Sequence, residues 1–148
     1  MKKQFISFCL ILLLMLSGCS IKLQKDTIYI PFQKVKAVEL QREYIDEEGT
    51  RTYCKKVIEN ETDKETICNM LRDLPITKAS TEEPNPILSM PLIIILRGEK
   101  DHHLVLSEDM AFYDQIAYNY TEEGILEEFV NIYNNLAYEE TAATVEPY

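Results

Sequence analysis

The four cysteines are the most reactive side chains of this chain, and their positions give them different chemistry. Cys9 lies inside an apolar N-terminal run, while Cys19 comes directly after two small residues that follow this run. Cys54 and Cys68 remain as an even pair in the body of the chain. A thiol can be acylated, can bind a metal or can join a second thiol in a disulfide, and its surroundings decide which of these occurs.

The N-terminal residues have the features of a leader. Lys2 and Lys3 give a positive start, and the stretch 5–16 is almost wholly apolar. A positive start, a short apolar core and small residues before a cleavage point are typical of a secretory signal peptide. The apolar stretch holds about twelve residues, whereas a membrane-spanning helix needs about 20. We therefore interpret residues 1–18 as a leader that is removed.

The end of this leader, Leu16-Ser17-Gly18-Cys19, resembles the lipobox of bacterial lipoproteins, which is a Leu, a small polar residue, a Gly and then a Cys. The resemblance implies that Cys19 receives diacylglycerol, that cleavage precedes it, and that the protein is held on the extracytoplasmic face of the cell membrane. It covers about the first 20 residues and implies no fold for the rest. Two other interpretations are an ordinary signal peptide with a chance cysteine and a short buried helix.

The energy of lipid burial supports tethering through Cys19 alone. Each buried CH₂ contributes about 0.8 kcal/mol, so one acyl chain binds a membrane marginally and two hold firmly. A diacylated cysteine therefore needs no second contact between the protein and the membrane.

The charge of the chain excludes some classes of partner. The formal net charge is −10, and removing the leader makes it more negative, because the leader holds two lysines and no acid. Such a surface is repelled by nucleic-acid phosphates and by anionic lipid head groups. About 130 residues would remain after cleavage, which is the size of one domain.

We predict a disulfide between Cys54 and Cys68, because an oxidising compartment favours disulfides and neither thiol has another partner in the mature chain. A closed loop of about 15 residues would contribute roughly 3 kcal/mol in the chain-entropy model. The alternative is two buried free thiols, which pack as small apolar residues. The spacing matches no Cys-x-x-Cys metal pattern, so we predict no metal site.

His102 and His103 are the two histidines of the chain. Neighbours on a strand point to opposite faces, so the pair does not readily bind one metal. Either ring could pair with Glu99, Asp101 or Glu108. This combination supports an alternative function, which is a small hydrolase or metal-dependent enzyme. The default interpretation is that the histidines lie beside a turn and face solvent.

Nine tyrosines and no tryptophan suggest a platform for a carbohydrate or a peptide. Tyr113, Tyr118 and Tyr120 are the candidate ligand-binding residues, because all three fall near one edge of the predicted sheet. The alternative is half-buried packing, which is the commoner role of a strand tyrosine.

Known catalytic patterns do not occur in the chain. It has no Gly-x-Ser-x-Gly, no Ser-x-x-Lys and no glycine-rich phosphate loop. We therefore predict a protein that is not an enzyme and that needs no cofactor.

The apolar patterns predict a sheet and two helices. Alternation over 35–45 and 51–58 predicts a hairpin, and spacings of three and four predict a helix that ends at Pro75. Either Asn60 or Thr62 could cap this helix, and Thr62 fits a capping box better. We interpret residues 76–90 as a loop.

Apolar patterns also predict the strands and the helix of the second half of the domain. Residues 92–96 are five apolar residues in a row, which predicts a strand at the sheet centre. Strands are expected over 102–107 and 110–118, and Thr121 is expected to cap a second helix. After Tyr138 the periodicity is lost, so residues 139–148 are predicted to form a flexible tail.

The order ββαβββα predicts a two-layer α+β domain, in which two helices cover one face of a mainly antiparallel sheet of roughly five strands. We divide the chain into a signal peptide (1–18), a lipidated cysteine with its tether (19–34), the domain (35–138) and the tail (139–148). The expected function is a non-catalytic, membrane-anchored module that binds a protein, a peptide or a wall polymer. The sequence leaves its oligomeric state open.

Overall fold

The computed structural model describes residues 28–79, 90–114 and 116–144. After a 3₁₀ turn at Phe32–Lys34, the first half contains β1 (Ala37–Ile45), β2 (Arg51–Ile58), α1 (Glu61–Arg72) and β3 (Ile76–Lys78). The second half contains β4 (Leu92–Arg97), β5 (His102–Leu106), β6 (Met110–Tyr113), β7 (Ile116–Tyr120), α2 (Ile125–Asn135) and β8 (Thr141–Ala143).

The eight strands form one antiparallel sheet in the order β3-β7-β6-β5-β4-β1-β2-β8. The predicted α+β class with an antiparallel sheet is therefore confirmed, whereas the predicted count of roughly five strands is wrong. The strand Leu92–Arg97 lies between β1 and β5, as its continuous apolar run predicts.

Both helices cover the same face of the sheet, which we call the helix face. Alternate residues of β1, β4 and β5, such as Leu40, Ile94 and Leu104, form one buried cluster with Ile67 of α1 and Phe129 of α2. Burial of such side chains contributes about 1.5–3 kcal/mol each, so this layer holds most of the apolar stabilisation.

The opposite face, which we call the open face, carries a second and smaller apolar cluster. Ile93, Ile95, Val105 and Phe112 form its centre, and Tyr53 packs against it. No helix of the described residues contributes to this cluster. The central strand is therefore apolar on both faces, which explains its unbroken run of apolar residues.

Three strands differ from the sequence prediction because each is short or is divided by an unmarked turn. β3 forms in the predicted 76–90 loop and has one buried residue, Ile76, which is too short a pattern to recognise. The predicted single strand 110–118 is two strands, separated after Tyr113 by a turn in which Asp114 has a φ of 47°. Aspartate tolerates this left-handed conformation, so the turn contains no glycine or proline signal.

The last described strand lies in the predicted tail. β8 pairs with β2 from Tyr53 to Lys55, although two of its three residues are exposed. Strand pairing here depends on backbone hydrogen bonds rather than on apolar burial, so hydrophobic periodicity gave no signal. The predicted flexible tail is therefore wrong for residues 141–143, and residues 145–148 lie outside the described residues.

The caps of both helices also differ from the prediction. Asn60, not Thr62, caps α1, because its side chain accepts hydrogen bonds from the backbone N–H of Thr62 and of Asp63 at 2.9 and 3.2 Å. Gly124, not Thr121, precedes α2 and has a φ of 79°. The chain thus continues for three residues past the predicted cap before the helix begins.

The domain begins before the predicted boundary at residue 35. Ile28 and Ile30 are 4 % and 6 % exposed and belong to the main cluster. The following segment pairs with the sheet, since the backbone N–H of Lys36 donates to the carbonyl of Arg97 at 2.8 Å. Residues 28–34, which we predicted as part of the tether, therefore belong to the domain, and residues 19–27 lie outside the described residues.

Candidate functional site

A groove between the two helices is the clearest candidate for a binding site. It encloses about 460 Å³ between the C-terminal half of α1 and the N-terminal half of α2. Its apolar wall contains Met70, Leu74, Ile125 and Phe129. Ligand pockets in proteins commonly enclose about 300–1,000 Å³, so the size fits a small ligand or a few side chains, although polar and apolar atoms line this groove about equally.

The ends of the helices fix the shape of this groove. α1 ends at Arg72, and Pro75 cannot continue it. The carbonyl of Pro75 accepts a hydrogen bond from the backbone N–H of Thr121 at 2.8 Å, which joins the chain after α1 to the chain before α2. The two helix ends therefore face each other across the groove at a fixed separation.

Acidic side chains stand around the groove. Asp73, Glu122 and Glu128 contribute to its lining, and no Lys, Arg or His is found among the described residues that line it. All three acids are exposed. In the part of the chain that the structure describes, the carboxylates of Glu122 and Glu128 make no hydrogen bond or ion pair, whereas the backbone N–H of Glu128 donates to the carbonyl of Gly124 at 3.0 Å. The groove thus combines an apolar wall with a negatively charged rim.

Sequence reasoning did not identify this site. In the sequence, Glu122 and Glu128 are acidic residues near the start of a helix, a common position for a solvated acid. A weak signal exists, because Glu128 directly precedes Phe129 at the border of the apolar stripe of α2. That signal is common to many amphipathic helices, so it could not indicate a groove without the position of α1.

The three candidate tyrosines lie on the helix face instead of forming an exposed platform. Tyr113 and Tyr118 are each 8 % exposed and belong to the main cluster, and Tyr120 packs against it. The hydroxyl of Tyr120 is buried and has no hydrogen-bond partner among the described residues, and this burial raises its pKa. Core packing therefore explains these residues, and their ligand-binding role stays a prediction.

The two histidines point to opposite faces of the sheet, as the strand geometry predicts. His102 is buried on the helix face, where its Nδ1 lies 2.7 Å from the hydroxyl of Tyr113. His103 lies in β5 beside the open face, and Asp101 is near enough to interact with its charge. The alternative enzyme hypothesis would have to use one histidine alone, since the structure does not bring both into one site.

Cys54 and Cys68 are both free thiols, so the predicted disulfide is not formed. Cys68 is buried in the main cluster on α1. Cys54 lies on β2, where burial and the nearby Glu140 carboxylate raise the pKa of its thiol. Burial also raises the pKa of Cys68, but its charged neighbours are Lys64, Arg72 and Glu65. The two cysteines therefore have separate surroundings.

A charged network crosses the open face beside the second apolar cluster. Glu39, which is 4 % exposed, accepts hydrogen bonds from Arg97 Nη2 at 2.8 Å and from Gln41 Nε2 at 2.6 Å. Lys55 Nζ lies 3.7 Å from the same carboxylate. Burial alone would raise the pKa of Glu39, but these donors and positive charges outweigh it and hold the pKa below its usual value.

A buried lysine, Lys56, binds the C-terminal end of α2. Lys56 is 7 % exposed, and its Nζ donates to the carbonyls of Tyr133 and Leu136, each at 2.8 Å. It also lies 4.8 Å from the centre of the Tyr133 ring. A cation at a helix C-terminus satisfies carbonyls that have no partner within the helix. Lys56 therefore has a structural role. It lies at the opposite end of α2 from the groove, so it supplies no cation there.

Among residues 28–79, 90–114 and 116–144, no group of three or more His, Cys, Asp or Glu side chains could hold a metal ion. No described helix is long and apolar enough to cross a membrane. Cys19, the predicted lipidation site, lies outside the described residues.

Comparisons with models of protein families, with curated proteins and with solved structures gave no match.

Proposed function

We propose that this protein is a lipid-anchored bacterial module that binds a partner on the extracytoplasmic face of the cell membrane, without catalysing a reaction. The resemblance of residues 16–19 to a lipobox supports the anchor. The groove between α1 and α2 supports the binding role, and it is the observation that carries the proposal. The partner would be a protein, a peptide or a wall polymer.

The histidines and cysteines have structural explanations that are compatible with this function. His102 contacts Tyr113 within the core, and Cys68 packs inside the main cluster. A groove with apolar walls and charged edges is suited to holding side chains of a partner, because apolar contact supplies affinity and the charges select orientation.

The anchor is tested by comparing Cys19→Ala with Cys9→Ala in a bacterial host that processes lipoproteins. Cys9→Ala should yield a mature protein that begins with an acylated Cys19 and fractionates with the membrane. Cys19→Ala should carry no lipid, as measured by mass spectrometry of the N-terminal peptide. An unmodified Cys19 thiol in the Cys9→Ala protein would contradict the anchor.

The binding role is tested by photo-crosslinking in intact cells. Thr66 lines the groove and is exposed, so Thr66→p-benzoylphenylalanine places a photoreactive group there. Glu47→p-benzoylphenylalanine places the same group in the exposed turn between β1 and β2 as a control. We expect a discrete adduct from position 66 that position 47 does not give. Identical adduct patterns from both positions would contradict a binding role for the groove.

A further inference from the structure

We propose that the groove between α1 and α2 binds a basic amphipathic segment of a partner protein, with apolar side chains against its wall and Lys or Arg side chains at its rim. This inference rests on the proposed function and specifies the chemistry of the partner. Its three components are the shape of the groove, the charge around it and a lining that, among the described residues, contains no Lys, Arg or His.

The shape favours a protein segment over a folded surface. Met70 and Leu74 of the α1 side face Ile125 and Phe129 of α2 across about 460 Å³. An amphipathic helix or strand can lay a few apolar side chains into such a channel between two helices. Leu74, Ile125 and Phe129 are 3 %, 7 % and 2 % exposed, so an occupant touches only their edges and makes its apolar contact mainly with the half-buried Met70.

The rim selects positive charge. Asp73 lies just beyond the end of α1, while Glu122 and Glu128 lie just before and within the first turn of α2. The C-terminal carbonyls of α1 add partial negative charge to the same side. The N-terminus of α2 has the opposite sign, and Glu122 and Glu128 offset it.

Arg72, at the end of α1, is bound to other partners, one of which is the groove-lining residue Asn69. Arg72 Nη1 donates to Asn69 Oδ1 at 2.6 Å, and its guanidinium lies 5.2 Å from the centre of the Phe32 ring. Arg72 is therefore held by its own helix and by the N-terminal segment. The carboxylates of Glu122 and Glu128, which have no hydrogen bond or ion pair within the described residues, remain available to a cation from outside.

The net charge of −10 also favours a basic partner. A negative protein attracts a basic segment before contact and repels an acidic one, so the approach and the final site share one preference. Because exposed charge pairs are screened by salt, the preference should weaken as the ionic strength rises.

The test measures binding of labelled synthetic peptides to the full-length processed protein in zwitterionic phosphatidylcholine nanodiscs. The probe is an amidated peptide of Leu and Lys whose Leu side chains follow helical spacing. Two matched peptides carry Gln or Glu in place of every Lys. Fluorescence anisotropy gives the dissociation constants at low and at physiological salt.

We expect the Lys peptide to bind more tightly than the Gln peptide and the Glu peptide to bind weakest. The double variant Glu122→Gln/Glu128→Gln should weaken the Lys peptide by about three- to tenfold, as expected for two exposed charge pairs. The matched variant Glu47→Gln/Glu48→Gln makes the same change of charge in the β1–β2 turn and should leave the affinity within about twofold.

The inference is overturned if the Lys and Gln peptides bind equally, or if the two double variants weaken binding to the same extent. A groove that crosslinks a discrete partner at position 66 but shows no preference for Lys would retain the proposed binding function and reject the basic segment. A third outcome combines two results. The Lys peptide binds tightly and Glu122→Gln/Glu128→Gln weakens it, but no position-specific crosslink forms in cells. This outcome would support the basic segment and reject the cellular partner.

Discussion

Glu39 is a carboxylate on the open face of the sheet, surrounded by an arginine, a lysine and an amide. A charge that is removed from water is tolerated only when its partners compensate for lost hydration. Arg97 compensates on one side and also holds Asp101, whose pKa it lowers. The network therefore joins β1 to β2 and to the β4–β5 hairpin.

The pKa of Glu39 predicts how stability depends on pH. Because this pKa is lowered in the folded state, the charged network contributes fully above the ordinary value of 4.5 and is lost as the pH falls through the folded value. Glu39→Gln should reduce the free energy of unfolding by about 1–3 kcal/mol at neutral pH. Below about pH 4 the difference from the unmodified protein should shrink.

Urea unfolding followed between pH 7 and pH 3 measures this effect. Glu47→Gln, at an exposed turn position, is the control and should follow the unmodified protein at every pH. Equal pH dependence in Glu39→Gln and in the unmodified protein would show that Glu39 does not contribute as argued.

At the scale of elements, β8 has the weakest means of attachment. It covers the edge of β2 through three residue pairs, and no buried side chain holds it there. Glu140, just before β8, lies close enough to Cys54 to raise the pKa of that thiol together with burial. The reactivity of Cys54 therefore reports whether β8 is in place.

A chain that ends after Glu139 should expose Cys54 without unfolding the domain. We expect Cys54 to react faster with iodoacetamide, because its thiol loses both cover and the neighbouring carboxylate. Cys68 is an internal control, since it is buried on α1 and should stay unreactive. Mass spectrometry of the alkylated peptides separates the two sites. Equal acceleration at both cysteines would indicate global unfolding, and no change at Cys54 would contradict the role of β8.

The elements also show why sequence reasoning succeeded in some places and failed in others. The strand Leu92–Arg97 and the apolar stripes of both helices follow from periodicity, because burial against a sheet imposes a pattern over many residues. β3 and β8 are held by backbone pairing with distant strands, which leaves no local pattern. The groove depends on where two helices meet, and the acids at its rim resemble ordinary solvated residues in the sequence.

For the whole molecule, the contact between the N-terminal segment and the β4–β5 turn joins the first described residues to the sheet. A Cβ on Gly98 would lie 2.8 Å from the backbone oxygen of Lys34, which is closer than packing allows. Gly98→Ala should therefore displace the segment and reduce the free energy of unfolding by about 1–3 kcal/mol.

Gly49→Ala is the matched substitution, because Gly49 has a φ of 81° and no atom within 4 Å of the added Cβ. It should cost about 1–2 kcal/mol through backbone strain alone. Hydrogen exchange at the amide of Lys36 distinguishes the two, since it donates to Arg97 and should lose protection in Gly98→Ala only. Unchanged protection in Gly98→Ala would show that the segment is not held by this contact.

Burial of Ile28 and Ile30 limits how far the domain can stand from a bilayer. If Cys19 carries the lipid, about nine residues link it to the first fixed position, and a fully extended chain of that length spans at most roughly 30 Å. A boundary at residue 35 would have allowed about 55 Å. The domain would then stay within a thin layer next to the bilayer surface, and the groove would contact only partners that enter this layer.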